Sequence, residues 1–203
     1  MAGQSVQLTG IVLKREASGE LYYRVNLICP DQGSLMVMMR RPKRNIRTSL
    51  PDLFDEVELV VERKSEDSLG FVKELTIHQR RRDLAKSFIA LELACEWSTI
   101  LIKNLPRHLE VKEDYDLLIK GLEAWETRKH PEAVFFKCLF VYARKEGYAV
   151  KHDWFENLPH NERVSIASIL NTPIAQLEIE PAEVRKHIEA LKHYIQHHTD
   201  ILL

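Results

Sequence analysis

The sequence predicts an α+β chain of two domains, a small five-stranded β-barrel followed by an all-α domain. Three observations predict it. Between Val6 and His78 apolar and polar residues alternate with period two in five short runs. Past Arg82 the apolar spacing lengthens to that of a helix and β-branched residues thin out. The change is abrupt, with no internal repeat and no low-complexity linker, which divides the chain into residues 1–80 and 81–203.

The strands come first. Val6, Leu8, Gly10 and Val12 alternate with Gln7, Thr9 and Ile11, and Leu21, Tyr23, Val25 and Leu27 with Tyr22, Arg24 and Asn26. Ser18-Gly19 and Pro30-Asp31-Gln32-Gly33 carry the turn chemistry that separates and ends them. Ser34–Met39 reads as a third strand, Val57–Arg63 as a fourth and Phe71–His78 as a fifth, with Asp67-Ser68-Leu69-Gly70 turning the last pair into a hairpin. Five short strands whose longest connection lies between the third and fourth fit a Greek-key barrel of the oligonucleotide-binding (OB) type. An SH3-like barrel or a small antiparallel sheet fits the same spacing.

The helices follow. Leu84, Phe88, Leu91 and Cys95 start a first one that runs to about Lys103, short of Pro106. Glu113–Thr127 makes a second, with Leu117, Leu118, Leu122 and Trp125 inward. Pro131 suits a first helical position and Gly147 the residue past a helix end. Val134, Phe135, Cys138, Leu139, Val141 and Tyr142 between them are too apolar for a surface helix, so this one is central. Asn157–Leu170 is a fourth helix, ended by Thr172-Pro173, and Pro181–His198 a fifth.

Composition bounds the function. The 203 residues suffice for one large or two small domains, and an apolar fraction of 45% with 29% charged residues is that of an ordinary globular protein. No run approaches the ~18 apolar residues of a membrane span, and Met1–Ser5 lacks the pattern of a secretory signal. The expected location is the cytoplasm. Cys29, Cys95 and Cys138 are odd in number and widely spaced, which argues against a disulfide framework or structural zinc. The net charge is −1, yet residues 1–82 hold 14 Lys and Arg against 11 Asp and Glu. Attraction to nucleic acid is therefore local to the N-terminal part.

Its focus is Arg40-Arg41-Pro42-Lys43-Arg44-Asn45-Ile46-Arg47, with five permanent positive charges and no acid, between the third and fourth strands. A β-barrel binds a single strand by a positive groove that tracks phosphates and by aromatic faces that stack bases. Arg40, Arg41, Lys43, Arg44 and Arg47 supply the first, extended by Arg24 on the second strand and by Lys14 and Arg15 at the first turn. Five neutralised phosphates would give a log K against log salt slope near −3.5, at ~0.7 per phosphate. Tyr22 and Tyr23 face opposite sides of their strand, so one at most stacks on a base. Arg80-Arg81-Arg82 reads as a solvated helix entrance. Asp52, Asp55, Glu56 and Glu58 read as an acidic patch that keeps the loop soluble.

Thr9-Gly10-Ile11-Val12-Leu13-Lys14, then Gly33-Ser34-Leu35, then the basic loop, resembles the start of the bacterial recombination mediator RecO family. Leu84–Leu101 resembles that family's first long helix, Phe136–Val150 its central helix with the Gly-Tyr-x-Val that follows, and Leu191–His198 its last helix. Many members carry a four-cysteine zinc module after the Gly-Tyr segment. Here His152-Asp153-Trp154-Phe155 runs straight on and no cysteine lies beyond Cys138, which places the chain with a branch that lacks the module. The resemblance implies a non-enzymatic mediator of DNA repair and recombination. Such a protein binds single-stranded DNA, promotes annealing and helps load a recombinase on DNA coated by single-strand DNA-binding protein. It implies two protein partners: RecR, and the acidic, hydrophobic C-terminal tail of single-strand DNA-binding protein, for which Lys137, Arg144 and Lys145 would rim an apolar pocket. A protein-interaction adaptor with an OB-like barrel and an OB-fold RNA-binding factor are the alternatives.

Nothing in the sequence points to catalysis. It has no Gly-rich phosphate loop, nucleophile elbow or metalloprotease helix. His193 and His197 share a helix face beside His198, but a zinc site wants a third and fourth ligand. No cofactor or metal is expected.

Overall fold

The computed structural model describes residues 4–42, 50–65 and 68–203. The class is α+β, a five-stranded sheet ahead of a set of helices. The strands are β1 (Gln4–Ser18), β2 (Tyr22–Cys29), β3 (Gly33–Arg40), β4 (Glu56–Arg63) and β5 (Gly70–Gln79). The helices are α1 (Phe88–Asn104), α2 (Lys112–Glu126), α3 (Pro131–Lys145), α4 (His160–Asn171) and α5 (Pro181–His198). A 3-10 turn at Arg82–Lys86 precedes α1, so that helix begins four residues later than the apolar spacing predicts. By contrast, α5 matches its expected span end to end.

The chain divides into two compact units. One holds Met1–Arg82 together with Leu105–Tyr115, the other Asp83–Asn104 together with Asp116–Leu203. In the first unit the strands close in the order β1-β2-β3-β5-β4, with β4 pairing back on β1. β1 serves two neighbours because it is long and bent. Its first half pairs with β4 from Gln4↔Arg63 to Ile11↔Glu56, and its second with β2 from Ile11↔Ile28 to Ser18↔Tyr22. The bend falls at Gly10, where a Cβ would lie 2.6 Å from the Ile28 carbonyl oxygen, and at a register shift between Val12 and Lys14. Simple alternation therefore lapses there, and Ile11, Val12 and Leu13 are all buried.

The interior is apolar. Leu8, Val12, Val25, Leu27, Leu35, Val37, Met39, Val57, Leu59 and Val61 pack together, joined at the edge by Tyr23, Leu50, Val72, Leu75 and Ile77. The segment 105–111 is stitched to the β2–β3 turn. Ser34 N–H donates to the Pro106 carbonyl at 2.9 Å, His108 N–H to Gln32 at 2.9 Å and Val111 N–H to Pro30 at 2.7 Å. Gly33 permits that approach, with φ 70° and a would-be Cβ 2.1 Å from the Pro106 oxygen.

In the second unit α3 is central, as its composition predicts. Phe135, Phe136, Cys138, Leu139, Phe140 and Tyr142 are all buried, and α3 packs against α1 and α5. Burial pushes the Cys138 thiol up to about 12, and Cys29 in the first unit likewise to about 12, which makes both inert. Among the described residues no helix is long and apolar enough to cross a membrane.

Candidate nucleic-acid interface

Among the described residues β3 and β5 meet at two register positions, Val37↔Gly70 and Met38↔Phe71, and then part. Where they part, Val72, Leu75 and Ile77 lose a neighbour and stay half-buried. The result is a furrow of two adjoining concavities that share Arg40, Val72 and Lys73. One, of about 470 Å³, is floored by Met39, Leu50, Leu75 and Ile77 and reaches Arg80. The other, of about 830 Å³, takes in Tyr22, Met38, Lys64, Leu69 and Phe71. Period-two geometry gathers the outward residues. Tyr22 lies opposite Arg40, Arg24 opposite Met38, and Met38 beside Phe71.

The cations read from the sequence separate into two groups. Arg40 and Arg24 are exposed, and neither pairs with a carboxylate among the described residues. Lys64 at the furrow's end stands the same way. Lys14, Arg15 and Arg41 are engaged. Lys14 forms an ion pair with Glu16 at 2.8 Å, and its hydrogen bond and charge, with the charge of Arg24, hold the Glu16 carboxyl below its usual range. Arg15 donates to the Pro51 carbonyl, and its guanidinium lies 5.5 Å from the Tyr23 ring. The Arg41 guanidinium lies 4.8 Å from the centroid of the same Tyr23 ring, and Arg41 Nε donates to the Tyr22 carbonyl at 3.3 Å. Lys43, Arg44 and Arg47 lie outside the described residues.

Two expectations are corrected. Of Arg80-Arg81-Arg82, Arg82 is exposed as a solvated helix entrance would be, but the other two are not: Arg81 is 4% exposed, and Arg80 donates to the Asp55 carboxylate at 3.1 Å and to the Leu50 carbonyl at 3.4 Å. Asp55 is not part of a solubilising patch. It is 2% exposed and also accepts from Asp52 N–H at 2.8 Å. The reason is common to both. Residues 50–55 are the return stem of the basic connection, and they are fastened by buried polar groups that find their partners in one another. Val12 and the stem exchange two more backbone bonds, Phe54 N–H to Val12 at 2.7 Å and Val12 N–H to Asp55 at 3.0 Å. These hold Phe54 in the left-handed region at φ 66°. Arg41 secures the outgoing stem, its N–H donating to Leu21 at 2.8 Å. The basic run is thus bracketed by two fixed stems.

Strand geometry separates the two tyrosines. Tyr23 packs on the barrel interior, while Tyr22 turns outward and meets Phe71 edge to face, with centroids 5.8 Å apart and planes at 72°. Sequence reasoning passed over Phe71. Its alternation with Val72 marks it as outward, but only the parallel β3–β5 pairing brings it beside Tyr22.

In the second unit the three candidate rim residues differ. Lys137 is half-buried, donates to the Thr172 carbonyl at 2.7 Å, and has its ammonium pKa lowered by desolvation. Lys145 pairs with Glu146 at 3.0 Å and lies 5.6 Å from the Tyr142 ring. Arg144 is exposed on α3. The C-terminal histidines stack on neighbours, His193 on His197 and His198 on Tyr194. Among the described residues no group of three or more His, Cys, Asp or Glu is placed to hold a metal ion.

A closed five-stranded sheet with one open, cationic seam is the class of protein that this geometry defines. No protein-family model matches the chain, and no curated protein matches it in sequence.

Proposed function

We propose that the strand unit is an OB-type barrel that binds single-stranded DNA along the β3–β5 furrow, and that the chain is a RecO-like mediator of recombination and repair. The observation that carries this reading is the exposed Arg40, which pairs with no carboxylate among the described residues and lines both concavities of the open furrow, one of them shared with Lys64. The strand order β1-β2-β3-β5-β4 with a long β3–β4 connection supports the OB assignment. Binding would be driven by release of counterions from neutralised phosphates. The same neutralisation lowers the repulsion between two strands, so complementary strands anneal on the protein while base pairing supplies the free energy. No bond is made or broken by the chain in this reading. In the mediator role its partners would be RecR and the C-terminal tail of single-strand DNA-binding protein, with Arg144 exposed and Lys137 half-buried among the three rim cations.

The test is a titration of the full chain with labelled single-stranded DNA at several salt concentrations. Arg24, Arg40 and Lys64 together should contribute about −2 to the log–log slope, at ~0.7 per phosphate, and the basic run should add to it. A salt-insensitive interaction would favour the protein-adaptor reading, and preference for RNA of the same sequence would favour an RNA-binding factor.

A further inference from the structure

We propose that Tyr22 and Phe71 form a base-stacking subsite that makes the furrow selective for unpaired strands and tolerant of their sequence. This rests on the nucleic-acid reading of the furrow and names the groups that would give it strand selectivity. A single exposed aromatic is ordinary on a protein surface. Here Phe71, 41% exposed, is joined by Tyr22 on the same outer face, and Leu69, 42% exposed, lines the same concavity. An edge-to-face pair uses one face of one ring, which leaves open ring faces for a base.

The charges sit where a backbone would run past such a base. Arg40 lies opposite Tyr22 in the β2–β3 register, and Lys73 lies two residues beyond Phe71 on the same face of β5. Glu62 holds Lys73 at 2.5 Å and Arg63 is half-buried and engaged, so among the described residues lining this concavity Arg40 and Lys64 are the exposed cations that pair with no carboxylate. The concavity is lined by aromatic, aliphatic and charged side chains and by Ser68, with no Asn or Gln among the described lining residues. It therefore lacks the amide pairs that read adenine edges. A base stacked here keeps its Watson–Crick edge clear and can still find its complement. Bases inside a duplex have both faces covered and cannot enter.

The experiment uses the full chain with three probes: oligothymidylate, the same strand with internal abasic positions, and a duplex of equal length. Phe71→Ala should weaken oligothymidylate binding by about five- to 140-fold. That range is the roughly 1–3 kcal/mol of one base–aromatic stack, converted at tenfold per 1.4 kcal/mol. The salt slope should not change. Phe71→Leu, which keeps an apolar filler on the strand, should lose nearly as much, and Phe71→Trp should retain binding. Abasic positions should weaken the wild type but not Phe71→Ala, and the wild type should favour the single strand over the duplex where Phe71→Ala does not. If Phe71→Ala and Phe71→Leu bind like the wild type while Arg40→Ala flattens the salt slope, the subsite is overturned and the phosphate-binding reading survives. If the wild type binds no oligothymidylate at any salt, both fall together.

Discussion

Along the β1–β4 seam the strands pair without interruption from Gln4↔Arg63 to Ile11↔Glu56, whereas β3 and β5 meet at two positions and part. The first seam buries Leu8, Val57, Leu59 and Val61, and its backbone groups satisfy one another. The second leaves Val72, Leu75 and Ile77 half-covered and turns Arg40 and Phe71 to solvent. One sheet thus holds a closed side that supplies stability and an open side with spare binding capacity. The basic residues follow the same division. Arg15, Arg41 and Arg80 are fastened to carbonyls, carboxylate or ring near the stems, and Arg24 faces Glu16 across the β1–β2 register, whereas Arg40 and Lys64 pair with no carboxylate among the described residues.

Substitutions on the closed side should cost stability and leave the salt slope alone, while those on the open side should do the reverse. The largest stability loss is expected away from both seams, for Gly33→Ala at the β2–β3 turn. A Cβ there meets the Pro106 oxygen at 2.1 Å on a residue with φ 70°, so the 105–111 segment must shift. Denaturant unfolding should report a loss of roughly 2–4 kcal/mol, at the severe end for a single substitution. A loss under about 0.5 kcal/mol would mean that this segment is not held as described.

Asp55→Ala should rank next and sharpens the comparison, because Asp55 joins the two sides. Its removal takes the carboxylate from Arg80, which keeps the Leu50 carbonyl, and the side-chain acceptor from Asp52 N–H, at a cost of roughly 1–3 kcal/mol. It also loosens the stem that carries the basic run. Strand affinity should fall with stability in this variant, although Asp55 is an anion whose loss would by charge alone raise affinity. A gain in affinity would contradict the stem role.

The smallest effect extends the comparison to the helical unit. His187 on α5 is buried, with its Nε2 3.0 Å from Ser165 Oγ and 3.8 Å from Glu183. Desolvation lowers its pKa, opposed by the charges of Glu183 and Glu162 and assisted by Lys186. The folded state therefore binds this proton less readily than the unfolded chain. Stability from this group is present above the usual histidine value of ~6.5 and is lost as pH falls below it. Unfolding at pH 7.5 and 5.5 should show a drop in the wild type that His187→Gln reduces. An equal drop in both would place the sensitivity elsewhere.

Much of this was legible from alternation and punctuation alone. The five strands, the central α3 and the limits of α5 follow from period two, period 3.6 and the placement of Pro131, Pro181 and Gly147. Three features were not. Arg81 and Asp55 look solvated because charge is read locally, whereas their burial depends on a partner or neighbour brought in by tertiary folding. The return of 105–111 to the strands depends on Gly33, whose turn role was visible but whose close neighbour was not. Phe71 could be placed on the outer face of β5, yet its pairing with Tyr22 requires a parallel contact between strands distant in sequence. Of the eight cations that the sequence offers, Arg40 is the one that also lines the furrow among the described residues.

The most direct test of the open seam is the salt dependence of single-stranded DNA binding for the wild type against Arg40→Ala/Lys64→Ala. The double variant should fold and melt as the wild type does, bind more weakly at low salt, and have a log–log slope shallower by about 1.4, at ~0.7 for each lost phosphate contact. An unchanged slope in a folded double variant would contradict the account.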